Sequence, residues 1–132
     1  MGIVTGLLAA CGLGGRRDPS AVQEALRTAV EALPEHLDGL VQFQDSASAG
    51  TTISGVLVLA GEDRAGVESS LLTVLETVSG TYREQPGTRR AFVRIEAHPE
   101  GDSATRVLAA DVVEPASGAN VTTDDLAAQL GG

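Results

Sequence analysis

Thr51-Thr52-Ile53-Ser54-Gly55-Val56-Leu57-Val58-Leu59-Ala60 is the stretch on which the reading of this chain turns. Side chains alternate between the two faces of an extended backbone, which puts Ile53, Leu57 and Leu59 on one side. Just upstream, Leu37, Gly39, Val41 and Phe43 alternate with Asp38, Gln42 and Gln44, and Leu40 is the one apolar residue on the polar side. A small, polar loop from Asp45 to Gly50 joins the two runs. Alternating runs joined this closely predict an antiparallel hairpin. Downstream, Asp63 stands as N-cap to a helix in which Val67, Leu71, Val74, Leu75, Val78 and Tyr82 share one face. Pro86-Gly87 ends it. Ala91, Val93, Ile95 and Ala97 then alternate with Phe92, Arg94, Glu96 and His98, a third strand. Strand, helix and strand together make a crossover long enough for a right-handed connection.

The flanks extend the same pattern. Asp18-Pro19-Ser20 opens a helix, with a cap residue, a Pro suited to the first helical position, and a second cap candidate in Ser20. Val22, Leu26, Ala29, Val30 and Leu33 form its apolar face and Pro34 stops it. After a turn at Pro99–Asp102, residues Thr105 to Val113 predict a fourth strand with Val107, Ala109 and Val113 on one side. A loop follows Pro115, and Thr123-Asp124-Asp125 caps a short final helix holding Leu126 and Leu130. The order is αββαββ plus a helical turn. Aligning Pro34 with Pro86 superposes Leu40-Val41-Gln42-Phe43 on Phe92-Val93-Arg94-Ile95 and suggests a pseudo-repeat. The expected fold is α+β: a two-layer sandwich with a four-stranded, mostly antiparallel sheet and two helices on one face, a circular permutation of the ferredoxin-like sandwich.

Composition narrows the function. The chain has 132 residues, 42% of them hydrophobic, which is too many for a solvated coil. All nine basic residues are Arg, against eighteen acids, net −9. That balance argues against nucleic acid as a partner, because phosphates would be repelled. One Cys makes no internal disulfide, and one Cys with two His builds no zinc cluster of the usual kind. No cofactor motif is present.

The uncharged N-terminus, Met1 to Cys11, is too short to span a bilayer but has the length of a signal-peptide apolar region. Its end, Leu8-Ala9-Ala10-Cys11, resembles the lipobox of bacterial lipoproteins: an aliphatic residue, two small residues and the Cys. That resemblance implies a diacylglyceryl group on the Cys11 thiol and cleavage just before it. No basic residue precedes Cys11, so the reading also implies basic residues upstream of Met1. Two acyl chains suffice for stable attachment where one does not. Gly12 to Arg17 then read as a flexible tether whose two Arg meet anionic headgroups. The resulting division is a signal-peptide remnant at 1–10, the lipidated Cys and tether at 11–17, and one α+β domain at 18–132. The body further resembles small actinobacterial lipoproteins of unknown function, through the stretch ending at Phe43, Ile53-Ser54-Gly55-Val56 and Tyr82-Arg83. The resemblance implies attachment to the outer face of the plasma membrane and transfers no catalytic residue.

The body's own chemistry is sparse. His36 and His98 are the only imidazoles and have no ligand spacing around them. Asp124-Asp125 and Glu62-Asp63 sit where acids favour a helix N-terminus. Asn120-Val121-Thr122 matches a glycosylation sequon, a pattern common by chance. Leu40, Val56, Val58 and Phe92 are apolar on faces the alternation assigns to solvent, a candidate surface for a protein or envelope-component partner. Alternatively, the segment 114–132 folds back over that face. Two functions remain open at this point: a tethered, non-catalytic binding domain, or a small envelope enzyme or metal-dependent factor using His36, His98 and scattered acids. If Cys11 is never lipidated, the chain is a soluble cytosolic domain.

Overall fold

The computed structural model describes residues 18–46, 48, 50–116, 118 and 120–130. The expected lipobox at Leu8–Cys11 and the expected tether at 12–17 lie outside them. The class is α+β.

Helix α1 (Pro19–Glu31) begins as its sequence requires: the Asp18 carboxylate accepts from Ser20 N–H (3.1 Å) and Ala21 N–H (3.4 Å), with Pro19 in the first turn. The first strand is interrupted, giving β1 (His36–Asp38) and β2 (Gln42–Ser46), both antiparallel to β3 (Gly50–Leu59). The break has a steric cause. A Cβ on Gly39 (φ +97°) would stand 2.3 Å from the Val56 carbonyl oxygen, and one on Gly55 would stand 2.5 Å from that of Leu40. The two backbones touch there, and only glycine permits it. Gln23 of α1 guards the outer edge of this strand. Its Nε2 donates to Val41 O (2.5 Å) and its Oε1 accepts from Phe43 N–H (2.7 Å), the pattern a further strand would make.

Helix α2 (Arg64–Arg83) crosses back over the sheet, and β4 (Phe92–His98) lies directly beside β3 and parallel to it, from Thr52↔Phe92 to Val58↔His98. The far side of β4 is edged by two short pieces, β5 (Val107–Leu108) and β6 (Val121–Thr122), both antiparallel. Between them come α3 (Ala109–Val112) and a loop; α4 (Thr123–Leu130) follows β6.

Three expectations change. The sheet is mixed, of six short or medium strands, and its centre is a parallel pair, so the arrangement is not a permuted ferredoxin-like sandwich, in which the fourth strand would separate β3 from β4. The reason is length: the segment after β4 offers only two-residue pairings and cannot serve as a central strand. Second, Thr105–Val113 is not one strand. It turns helical at Ala109, where Asp111 accepts from Leu108 N–H (2.8 Å) and from Arg64 (3.2 Å), although Val107, Ala109 and Val113 are buried as expected. Third, the pseudo-repeat fails. The superposed strands occupy different places, 36–46 at an edge and 92–98 at the centre, so no two-fold relates the halves.

The core lies between the sheet's inner face and the helices. Ile53, Leu57 and Leu59 meet Val67, Leu71, Val74, Leu75 and Val78 of α2 and Val22, Leu26 and Val30 of α1. Phe43 and Tyr82 pack rings at 5.8 Å, and the Tyr82 hydroxyl donates to Arg89 O. Helix α4 joins the same layer, with Leu126 fully buried.

Candidate functional site

Among the described residues the other face of the sheet is open. Its rows follow from the β3–β4 register: Thr52 beside Phe92, Ser54 beside Arg94, Val56 beside Glu96, Val58 beside His98. Leu108 of β5 extends the Val56–Glu96 row, and Leu40 and Gln42 flank it from the opposite edge. Val56 is 56% exposed, Leu40 49% and Leu108 38%. Leu40, Gln42, Ser54, Val56, Arg94 and Glu96 bound a shallow concavity of about 450 Å³. Of the four apolar residues singled out from sequence, Leu40 and Val56 therefore meet at one depression. Val58 lies two residues further along β3, and Phe92 two rows away beyond Arg94; both are half-buried. Leu108 is an addition. Its signal was present, since it alternates with the buried Val107 and Ala109, but it was hidden inside a segment read as a single strand.

The charge on this face is balanced. Asp38, beside Val58, and Glu96 are its two acids, and Arg94 and Arg106 offset them. Arg106 Nε approaches Glu96 at 3.8 Å, a loose contact. From Asp18 onward the chain carries seven Arg and eighteen acids, net −11, so the whole excess sits off this face.

The described part of 114–132 does not cover this face. Helix α4 docks against α2 on the helical side, tied there by Thr123, whose N–H donates to Ala91 O (2.9 Å) and whose hydroxyl accepts from Ala91 N–H (3.1 Å). Asp124 and Asp125 part company. Asp124 is exposed, whereas Asp125 is buried and accepts from Ala116 N–H, Thr122 N–H and the Thr122 hydroxyl (3.0–3.2 Å). Thr122, not Thr123, is the cap, because its hydroxyl accepts in turn from Asp125 N–H (3.3 Å).

The two imidazoles serve the backbone. His36 Nε2 donates to Gly39 O (2.7 Å) and His98 Nδ1 to Pro99 O (2.9 Å), on strands flanking β3 from opposite sides. Among the described residues no group of three or more His, Cys, Asp or Glu could hold a metal ion, and no helix is long and apolar enough to cross a membrane. No protein-family model, curated protein or solved structure matches this chain.

Proposed function

We propose that this chain is a lipid-anchored interaction module on the outer face of a bacterial plasma membrane. In this reading Cys11 carries the acyl chains, residues 12–17 form the tether, and the α+β domain meets a protein or envelope component through the sheet face around Leu40, Val56, Val58 and Phe92. The observation that supports it is the open, charge-balanced face with large apolar side chains at its middle, on a body otherwise strongly acidic. Exposed apolar side chains gathered on one face of a small domain are the mark of a contact surface. A catalytic reading has less to work with, since both imidazoles are engaged with backbone carbonyls.

Two measurements test the two halves. Metabolic labelling with a palmitate analogue should mark the wild type and not Cys11→Ala; equal signals from the two would remove the anchor. A photo-crosslinking residue at position 56 should yield one discrete adduct in intact cells. The same residue at position 76, exposed on α2, should yield none, and the opposite result would remove the face.

A further inference from the structure

We infer that the outer sheet face is a two-fold interface between copies of this chain, forming a four-layer helix–sheet–sheet–helix dimer. This names the partner of the face proposed above and rests on that reading. Arg94 and Glu96 project from the same face of β4, two residues apart. A two-fold axis lying midway between the two sheets, perpendicular to the strands and level with Ile95, sets each Arg94 opposite the second copy's Glu96, and one operator makes both ion pairs. Opposite charges this close on one strand suit a self-complementary contact. An anionic lipid surface or an acidic peptide would instead select a face of one sign.

Net charge alone opposes the pairing of two bodies at −11, but the distances decide otherwise. Sheets pack about 10 Å apart, and each helix layer lies roughly 10 Å behind its sheet. The two acidic helix layers of the dimer would thus be about 30 Å apart, more than three Debye lengths of ~8 Å at physiological salt. Facing the sheets together is the orientation that keeps the acidic excess out of the contact. The available area sets the strength. Four strand positions at about 4.8 Å and seven residues at about 3.3 Å project roughly 440 Å², below the ~800 Å² per partner of a standard stable interface. The dimer is therefore reversible, with a dissociation constant in the micromolar range or weaker.

Sedimentation velocity on the full chain carrying Cys11→Ser, from about 1 to 500 µM, tests this. The expected result is a mass rising from one 13.4 kDa chain toward two. Val56→Glu should hold the chain monomeric throughout, with an unchanged circular dichroism spectrum. Arg94→Glu and Glu96→Arg alone should each raise the dissociation constant about tenfold, and the double exchange should return it to near the starting value. Failure of the double exchange to recover would overturn the two-fold pairing. So would a single 13.4 kDa species over the whole range, or association indifferent to Val56→Glu, as the apolar N-terminus would produce. The crosslink at position 56 separates this inference from the reading beneath it. An adduct of twice the chain mass supports both, an adduct of any other mass keeps the face and discards the second copy, and no adduct discards both.

Discussion

Leu57 and Val56 are neighbours on the same strand, both apolar, and they meet opposite fates: Leu57 is fully buried under the helices and Val56 is more than half exposed. The same division runs along β4, where Val93, Ile95 and Ala97 are buried and Arg94 is exposed. Nothing in the side chains themselves explains the difference between a leucine and the valine beside it. It comes from the side on which α2 crosses, because α1, α3 and α4 all pack against α2 on that face and none of the described helices covers the other. An apolar residue on the bare face contributes little to folding and is free to serve contact.

Truncating one residue on each face breaks the comparison most directly. Leu57→Ala should lower unfolding stability by about 4 kcal/mol in urea denaturation, the cost of a cavity beneath α2. Val56→Ala should change it by no more than about 0.5 kcal/mol; comparable losses would mean that the outer face is buried in solution. The next effect lies where the first strand crosses between faces. Gly39→Ala forces a Cβ against the Val56 carbonyl at positive φ and should cost about 3 kcal/mol, read as a lower thermal midpoint. Removing the edge guard is milder. Gln23→Ala frees Val41 O and Phe43 N–H and should cost about 1.5–2 kcal/mol, with faster amide exchange at Phe43. The smallest change has the opposite sign. Ser79 lies 1% exposed in the helical layer, and its hydroxyl has no hydrogen-bond partner among the described residues, so Ser79→Ala should stabilise by about 0.5–1 kcal/mol. Destabilisation there would mean that a buried water serves the hydroxyl.

Much of this was legible residue by residue. The inward sets of three long elements are as the periodicity predicts, Val22, Leu26 and Val30 on α1, Val67 through Tyr82 on α2, and Ile53, Leu57 and Leu59 on β3, whereas Leu37, expected beside Val41 and Phe43, is exposed where the first strand breaks. Asp18 and Asp63 cap the helices assigned to them. These features depend on neighbours within about one turn or one hairpin, and local chemistry decides them. What was not legible depends on partners far along the chain. Residues 105–113 read as a strand by alternation, but Arg64, more than forty positions upstream, binds both the Arg106 carbonyl and Asp111 where the segment turns helical. The role of Gln23 was equally invisible, since a helical glutamine directly after the buried Val22 carries no sign of the strand it will bind. Asp125 looked like a dipole-favouring acid and is a buried clamp on Thr122 and Ala116.

The candidate face divides the same way. Leu40, Val56, Val58 and Phe92 were marked by alternation alone, because a period of two assigns each strand residue to one side before any partner is known. Whether that side would be covered was not decidable from the chain, as the segment 114–132 had equal reason to fold over either face. Tertiary structure decided it through two hydrogen bonds between Thr123 and Ala91, one between backbones and one from the Ala91 N–H to the Thr123 hydroxyl, which hold α4 beside α2. Sequence by itself therefore determined the long elements, their buried stripes and the residues left over. The order of the sheet, its parallel centre and the face that the described helices leave uncovered came only from packing. A pattern of side chains specifies which surface must be hidden, and only the folded chain settles what is there to hide it.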